Sequence, residues 1–138
     1  LKINERGIFI IETSPRLGGD YITSMLTPLS TGVNIEEQLL HITLGEDIAT
    51  SHTQSCYSGI RFFSFEVGRV VTKELDVDLI YKWPYVKDFS FRLTINERIA
   101  LITSSLNRYG HIILQTSDRE TLDEKFEDYE QILNMHLF

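Results

Sequence analysis

The sequence predicts an α+β fold, and three observations carry that prediction. In the stretch from Tyr85 to Leu93, Phe89, Phe91 and Leu93 alternate with Ser90 and Arg92, the two-residue period of a strand with one wet face. After Thr116 the pattern changes to a helical stripe opened by a capping box, Ser117-Asp118-Arg119-Glu120, so the chain finishes in a helix packed on a mostly antiparallel sheet. The 138 residues are 42% hydrophobic and 24% charged, a globular composition at a length that buries a real core.

Each element has its own local reason. Ile8-Phe9-Ile10-Ile11 follows Gly7 without alternation, which predicts a central strand covered on both faces. Pro15 cannot donate into a ladder, so the chain should leave the sheet just after Glu12, and Gly18-Gly19 should then form a tight turn rich in exposed backbone. Tyr21, Ile22, Met25 and Leu26 suit one or two helical turns that end near Pro28. Asn34 with Glu37 three residues on is a variant capping box, and Ile35, Leu39 and Ile42 predict a helix running to Gly45. The small polar residues from Asp47 to Ser58 predict a linker (47–58) between a first part, 1–46, and a second, 59–138.

Beyond that linker, Gly59 to Phe65 reads as a strand, Gly68 as the tip of a hairpin and Arg69 to Glu74 as the return strand. Two further strands run from Tyr85 to Leu93 and from His111 to Thr116, the second preceded by a turn at Asn107-Arg108-Tyr109-Gly110. In the last helix, Leu122, Phe126, Tyr129 and Ile132 or Leu133 make one apolar stripe.

Charge and composition exclude several functions. Thirteen Lys and Arg against 20 Asp and Glu leave a net charge of −7, which repels a phosphate backbone, so no nucleic-acid partner is expected. No apolar run approaches the ~20 residues that span a bilayer, and no membrane partner is expected either. The single cysteine, Cys56, allows no internal disulfide or cysteine metal cage, has no basic neighbour to activate it, and fits a reducing, cytoplasmic setting. His41, His52, His111 and His136 lack metal-ligand spacing and read as surface or boundary residues. Tyr81, Trp83, Tyr85, Phe89 and Phe91 read as packing aromatics, while Arg61 either faces a site or pairs with a surface acid. The chain starts at Leu1 with no Met and no signal segment, so either processing removed something or this is a piece of a longer protein, and the motifs below favour the second.

The stretch that carries chemistry is Ile10 to Asp20. An acid at a strand end, Glu12, is followed by a Pro-fixed turn, Arg16, a Gly pair and a second acid, Asp20. A carboxylate is a hard oxygen ligand suited to Mg²⁺, and Arg with free backbone N–H groups suits phosphate oxygens. The same residue types also make an ordinary strand exit.

The run Glu12-Thr13-Ser14-Pro15-Arg16-Leu17-Gly18-Gly19-Asp20, continued by Leu29-Ser30-Thr31-Gly32-Val33 and Leu40 to Gly45, resembles the ATP-grasp enzymes. Its Arg-Leu-Gly-Gly-Asp form is similar to the L-amino-acid (dipeptide) ligases and their carbamoyl-phosphate-synthase-like relatives. Gly59 to Phe63, Gly68-Arg69-Val70-Val71, the Arg108-Tyr109-Gly110 turn and the last helix resemble the C-terminal lobe of that subgroup. The resemblance implies that residues 1–46 complete an ATP-grasp catalytic sheet, with an α+β lobe after them. It implies ATP and Mg²⁺, or Mn²⁺ in its place, with Glu12 and Ser14 toward the metal and Arg16 as the catalytic residue on the γ-phosphate or acyl phosphate. Gly18, Gly19 and Asp20 would hold phosphate or substrate. Ser14 departs from the family's Asn and is a shorter, weaker ligand.

By the same resemblance the parent is a carboxylate–amine ligase. Its partners are ATP, a small carboxylate, an amine and the missing N-terminal part of the enzyme, with a homodimer among the assemblies it allows. Two alternatives stand beside it: a bicarbonate-activating enzyme like biotin carboxylase or carbamoyl phosphate synthase, and a non-catalytic binding or assembly module.

Overall fold

A computed structural model describes residues 1–48 and 51–138. In chain order the elements are β1 (Lys2–Asn4), β2 (Gly7–Phe9), a π-helical turn (Ile22–Leu26), α1 (Thr27–Thr31), α2 (Ile35–Leu44), β3 (Tyr57–Phe62), α3 (Val77–Ile80), β4 (Val86–Phe91), a 3₁₀ turn (Ser105–Asn107), β5 (Gly110–Thr116) and α4 (Arg119–Leu137). The fold class is α+β, with two small antiparallel sheets and a C-terminal helix.

The larger sheet has the order β3-β5-β4, with β5 in the middle and antiparallel to both neighbours. Its two faces follow from the register. Gly59 and Arg61 lie opposite Leu114 and Ile112, and this face meets α4, whose Leu122, Phe126, Tyr129, Leu133 and Leu137 are buried. A Cβ on Gly59 would stand 2.9 Å from the Phe126 ring, so the missing side chain is what lets the helix lie this close. Phe63, Phe65, Phe89, Leu93 and Ile99 complete that core. Ser58, Ile60 and Phe62 lie opposite Gln115, Ile113 and His111 and make the other face. Residues 21–31 dock there: Ser58 Oγ donates to the Leu26 carbonyl (2.7 Å), Gln115 Nε2 donates to that of Leu29 (2.5 Å), and the Tyr21 ring packs tilted against His111.

Several sequence expectations need correction. The Ile8–Ile11 run is not a central strand covered on both faces: β2 ends at Phe9 and pairs only with β1, and Ile10 and Ile11 are 72% and 66% exposed. No second strand or helix of the described chain lies against it, so nothing supplies the cover an apolar run needs. Pro28 does not end the helical turns. It sits in the first turn of α1, where its missing N–H leaves no bond unmade, and the helix stops at Gly32.

Arg69–Glu74 does not return as a hairpin strand beside β3. It makes one isolated bridge, Val70 to Arg98, and is held by Asn96 N–H to the Val71 carbonyl (2.9 Å) and by Thr72 N–H to the Leu137 carbonyl (2.8 Å). Its backbone bonds go instead to residues 96–99 and to the end of α4, while β3 pairs with β5.

Other expectations hold with small shifts. Asn34 caps α2 by accepting from Glu37 N–H, and Gly45 closes it. The cap of α4 is Asp118, one residue later than the Ser117 box, accepting from Thr121 N–H; that bond holds the Asp118 pKa below the ordinary carboxylate value. Leu133 is the buried member of the stripe and Ile132 the exposed one. Arg61 pairs with Glu127 (2.7 Å) and Glu130 (3.1 Å). Its partial burial opposes the charge, and those two hydrogen bonds outweigh the opposition and raise its pKa. Trp83 packs on Tyr129, whose hydroxyl donates to the Pro84 carbonyl (2.6 Å) and whose pKa is raised by burial. Within the expected linker, residues 49 and 50 lie outside the described residues; Cys56 N–H donates to the Ser30 carbonyl and β3 begins at Tyr57. No helix among the described residues is long and apolar enough to cross a membrane.

Candidate functional site

The Glu12–Asp20 run leads directly into a cleft at one end of the sheet. Glu12, Ser14 and Arg16 are exposed, and the Arg16 backbone N–H donates weakly to Ser14 Oγ (3.4 Å). The Glu12 carboxylate and Arg16 guanidinium have no hydrogen bond or ion pair among the described residues. The turn that follows is pinned at the Gly pair: Thr23 Oγ1 donates to the Gly18 carbonyl (3.1 Å) and Ile22 N–H to that of Gly19 (3.1 Å).

The left-handed backbone in this turn falls on Asp20 (φ 51°) and Tyr21 (φ 63°), not on the Gly pair. Gly18 has a steric role, since a Cβ there would come 3.1 Å from Ile22 Cβ. Two consecutive left-handed non-glycine residues cost about 1–3 kcal/mol each, Asp less than Tyr, so neighbouring contacts must hold them. Asp20 is held by Arg108, whose Nη1 donates to Asp20 Oδ1 at 2.9 Å, and Tyr21 by His111, with ring centroids 4.6 Å apart.

These contacts build a cleft of about 270 Å³ lined by Asp20, Tyr21, Phe62, Arg92, Arg108 and His111, with Ser90 and Ser105 among its hydroxyls. The Arg108 guanidinium lies 3.8 Å from the centre of the Phe62 ring, a cation–π contact that fixes its orientation. With 57% of the Asp20 side chain exposed, the Arg108–Asp20 pair is worth about 0–1 kcal/mol and is readily exchanged. His111 is buried, contrary to the surface or boundary position expected for it, and Nε2 pairs with Asp88 Oδ2 (2.7 Å). It is buried because β5 is the central strand.

Of the expected site residues, the structure brings only Asp20 to the cleft; Gly18 and Gly19 lie in the turn just before it, and Glu12, Ser14 and Arg16 are exposed and outside its lining. Arg92, Arg108 and His111 were not among the residues expected to act. Arg108 stands 88 positions from Asp20, and the only local signal was the turn in which it lies. No group of three or more His, Cys, Asp or Glu poised for a metal occurs among the described residues. Glu12 and Ser14 are nonetheless hard oxygen donors, and the free Glu12 carboxylate fits one ligand position of a Mg²⁺ site.

No protein-family model and no curated protein sequence matches the chain. Solved structures do. An L-amino acid ligase from Bacillus licheniformis superposes with a TM-score of 0.61 at 16% identity, covering 94% of this chain and 32% of that one. A phosphoribosylglycinamide synthetase from Anaerococcus prevotii superposes at 0.60 and 14% identity, covering 90% of this chain and 32% of that one. Both are ATP-grasp enzymes. The chain has the fold of an ATP-grasp fragment. At this identity the likeness is one of fold, and the chain spans about a third of the length of these neighbours. The ATP-grasp resemblance read from the Glu12–Asp20 run and from motifs along nearly the whole chain therefore agrees with the fold likeness, which covers 94% of the chain.

Proposed function

We propose that this chain is the C-terminal part of an ATP-dependent carboxylate–amine ligase. The observation that supports the reading most is the fold likeness over 94% of the chain to an L-amino acid ligase, in a chain whose Glu12–Asp20 run has the residue types that phosphoryl transfer needs. In this reading a carboxylate oxygen attacks the γ-phosphorus of ATP, ADP leaves, and the amine nitrogen then attacks the acyl carbon. Inorganic phosphate departs, the nitrogen loses a proton, and an amide remains.

This chain's residues act by position and charge. Arg16, whose guanidinium has no partner among the described residues, would hold the transferred phosphoryl oxygens, and the backbone at Gly18 and Gly19 would donate to the charge that develops on the acyl phosphate. Glu12, with Ser14, would hold Mg²⁺ or Mn²⁺, which when bound neutralises phosphate charge. Asp20 would stand at the substrate edge. The division into 1–46, a 47–58 linker and a 59–138 lobe belongs to the same proposal, with the nucleotide pocket completed by chain outside these residues and the whole enzyme cytoplasmic.

The test is ADP release by the full-length parent with panels of carboxylates and amines. Glu12→Ala and Arg16→Ala should each lower kcat by about a hundredfold or more, the size of losing one group that stabilises transition-state charge. Turnover that survives both substitutions overturns the proposal. The 138 residues alone should show no turnover.

A further inference from the structure

On a chain of net charge −7, the cleft beside Asp20 is locally basic. Two guanidinium groups, Arg92 and Arg108, line it against one carboxylate, Asp20, and its imidazole, His111, is already engaged by Asp88. Arg108 is the better defined of the two cations, stacked on Phe62 and seated on Asp20. Arg92 is exposed at the cleft wall and its guanidinium has neither hydrogen bond nor ion pair among the described residues. Counted over the lining arginines and carboxylate, one positive charge is therefore left over in a concave space, where low-dielectric walls focus its field.

We propose that this cleft binds a small carboxylate ligand, anchored by Arg92 and Arg108, with Asp20 serving as an internal counter-ion that occupies Arg108 until the ligand displaces it. The Asp20–Arg108 contact shows that a carboxylate oxygen fits this guanidinium, at 2.9 Å. The surplus of one positive charge matches a monoanion. Phe62, Leu106 and Tyr21 supply apolar wall for a short side chain, and Ser90 and Ser105 supply hydroxyl donors. The volume of about 270 Å³ is at the lower end for a ligand pocket and suits a small molecule. Release of Asp20 would also free one contact that holds the left-handed turn, so binding at the cleft is coupled to the backbone between Gly19 and Ile22.

The inference stands on the cleft's own side chains and is independent of any role for ATP. Its test is an NMR titration of the 138-residue chain, without nucleotide or metal, using sodium propionate, its neutral isostere propionamide, and sodium phosphate in parallel. Propionate should produce saturable shifts at Ser90, Arg92, Arg108 and His111, and propionamide should not. Arg92→Gln, an exposed substitution, should weaken propionate about tenfold, the size of one charge-assisted hydrogen bond. Asp20→Asn, which keeps a residue tolerant of the left-handed region, should tighten it several-fold by removing the internal competitor. Arg108→Lys tests that position while keeping the charge, and should weaken propionate by losing the planar fork. Equal responses to propionate and propionamide, saturation by phosphate but not propionate, or weaker binding in Asp20→Asn would each overturn the proposal.

Discussion

Two apolar runs of similar composition meet opposite fates. Ile112-Ile113-Leu114 in β5 is buried to 2%, 0% and 0% exposure, whereas Ile8, Ile10 and Ile11 around β2 stand 68%, 72% and 66% exposed. Neither run alternates, and each reads alone as a strand. β5 has a strand on each side, α4 on one face and residues 21–31 on the other; β2 has a single three-residue partner. Burial is thus a property of the neighbours that reach a run, and apolar content states only how much would be gained if they do.

The largest test of that difference is a pair of truncations. Leu114→Ala should cost about 2–5 kcal/mol in urea unfolding, because the site is closed on all sides and leaves a cavity. Ile10→Ala in this chain should fall within about 0.5 kcal/mol of the parent; similar costs for the two would break the comparison.

A backbone version targets the start of the same buried strand. Gly110 has φ 137°, and a Cβ there would sit 1.9 Å from the Ser90 carbonyl oxygen of β4. Gly110→Ala should therefore destabilise by roughly 2–3 kcal/mol, seen as a lower urea midpoint together with faster amide exchange along β5.

Smaller effects sharpen the comparison. Tyr129→Phe removes the hydroxyl that donates to the Pro84 carbonyl and should cost about 1 kcal/mol by thermal unfolding. The smallest effect is at the cap of α4. Asp118 has its folded pKa lowered, so its contribution is present above the unfolded carboxylate value near ~4 and is lost as pH falls through the folded one. Asp118→Asn, still a competent cap, should flatten the part of the acid unfolding profile below about pH 4. An unchanged profile would show that this bond adds nothing to stability.

What was legible in the sequence was mostly local. The Asn34 cap, the α4 stripe, the alternation in β4 and the apolar β5 depend on spacing within a few residues, and they stand where expected. The candidate site was legible as one loop, Glu12 to Asp20, together with the resemblance that loop carries. Half of the cleft was not, because Arg92, Arg108 and His111 reach it from segments 72 to 91 positions away, and pairing over such distances leaves no periodic trace. Arg69–Glu74 misled for a related reason: Val and Thr mark strand propensity, but which edge is free for pairing is decided by competitors elsewhere.

By itself, then, the sequence determined the α+β class, α2 with its Asn34 cap, the apolar stripe of α4, and a loop whose acid, arginine and glycines are residue types suited to phosphate and metal. These follow from dihedral preferences and spacing over a turn or two of chain. Only the tertiary structure decided that β5 rather than Arg69–Glu74 pairs with β3, that His111 is buried against Asp88, and that Asp20 meets Arg108 across a cleft. Those outcomes depend on which distant surfaces exclude water together, a competition among whole elements that no window of a few residues contains.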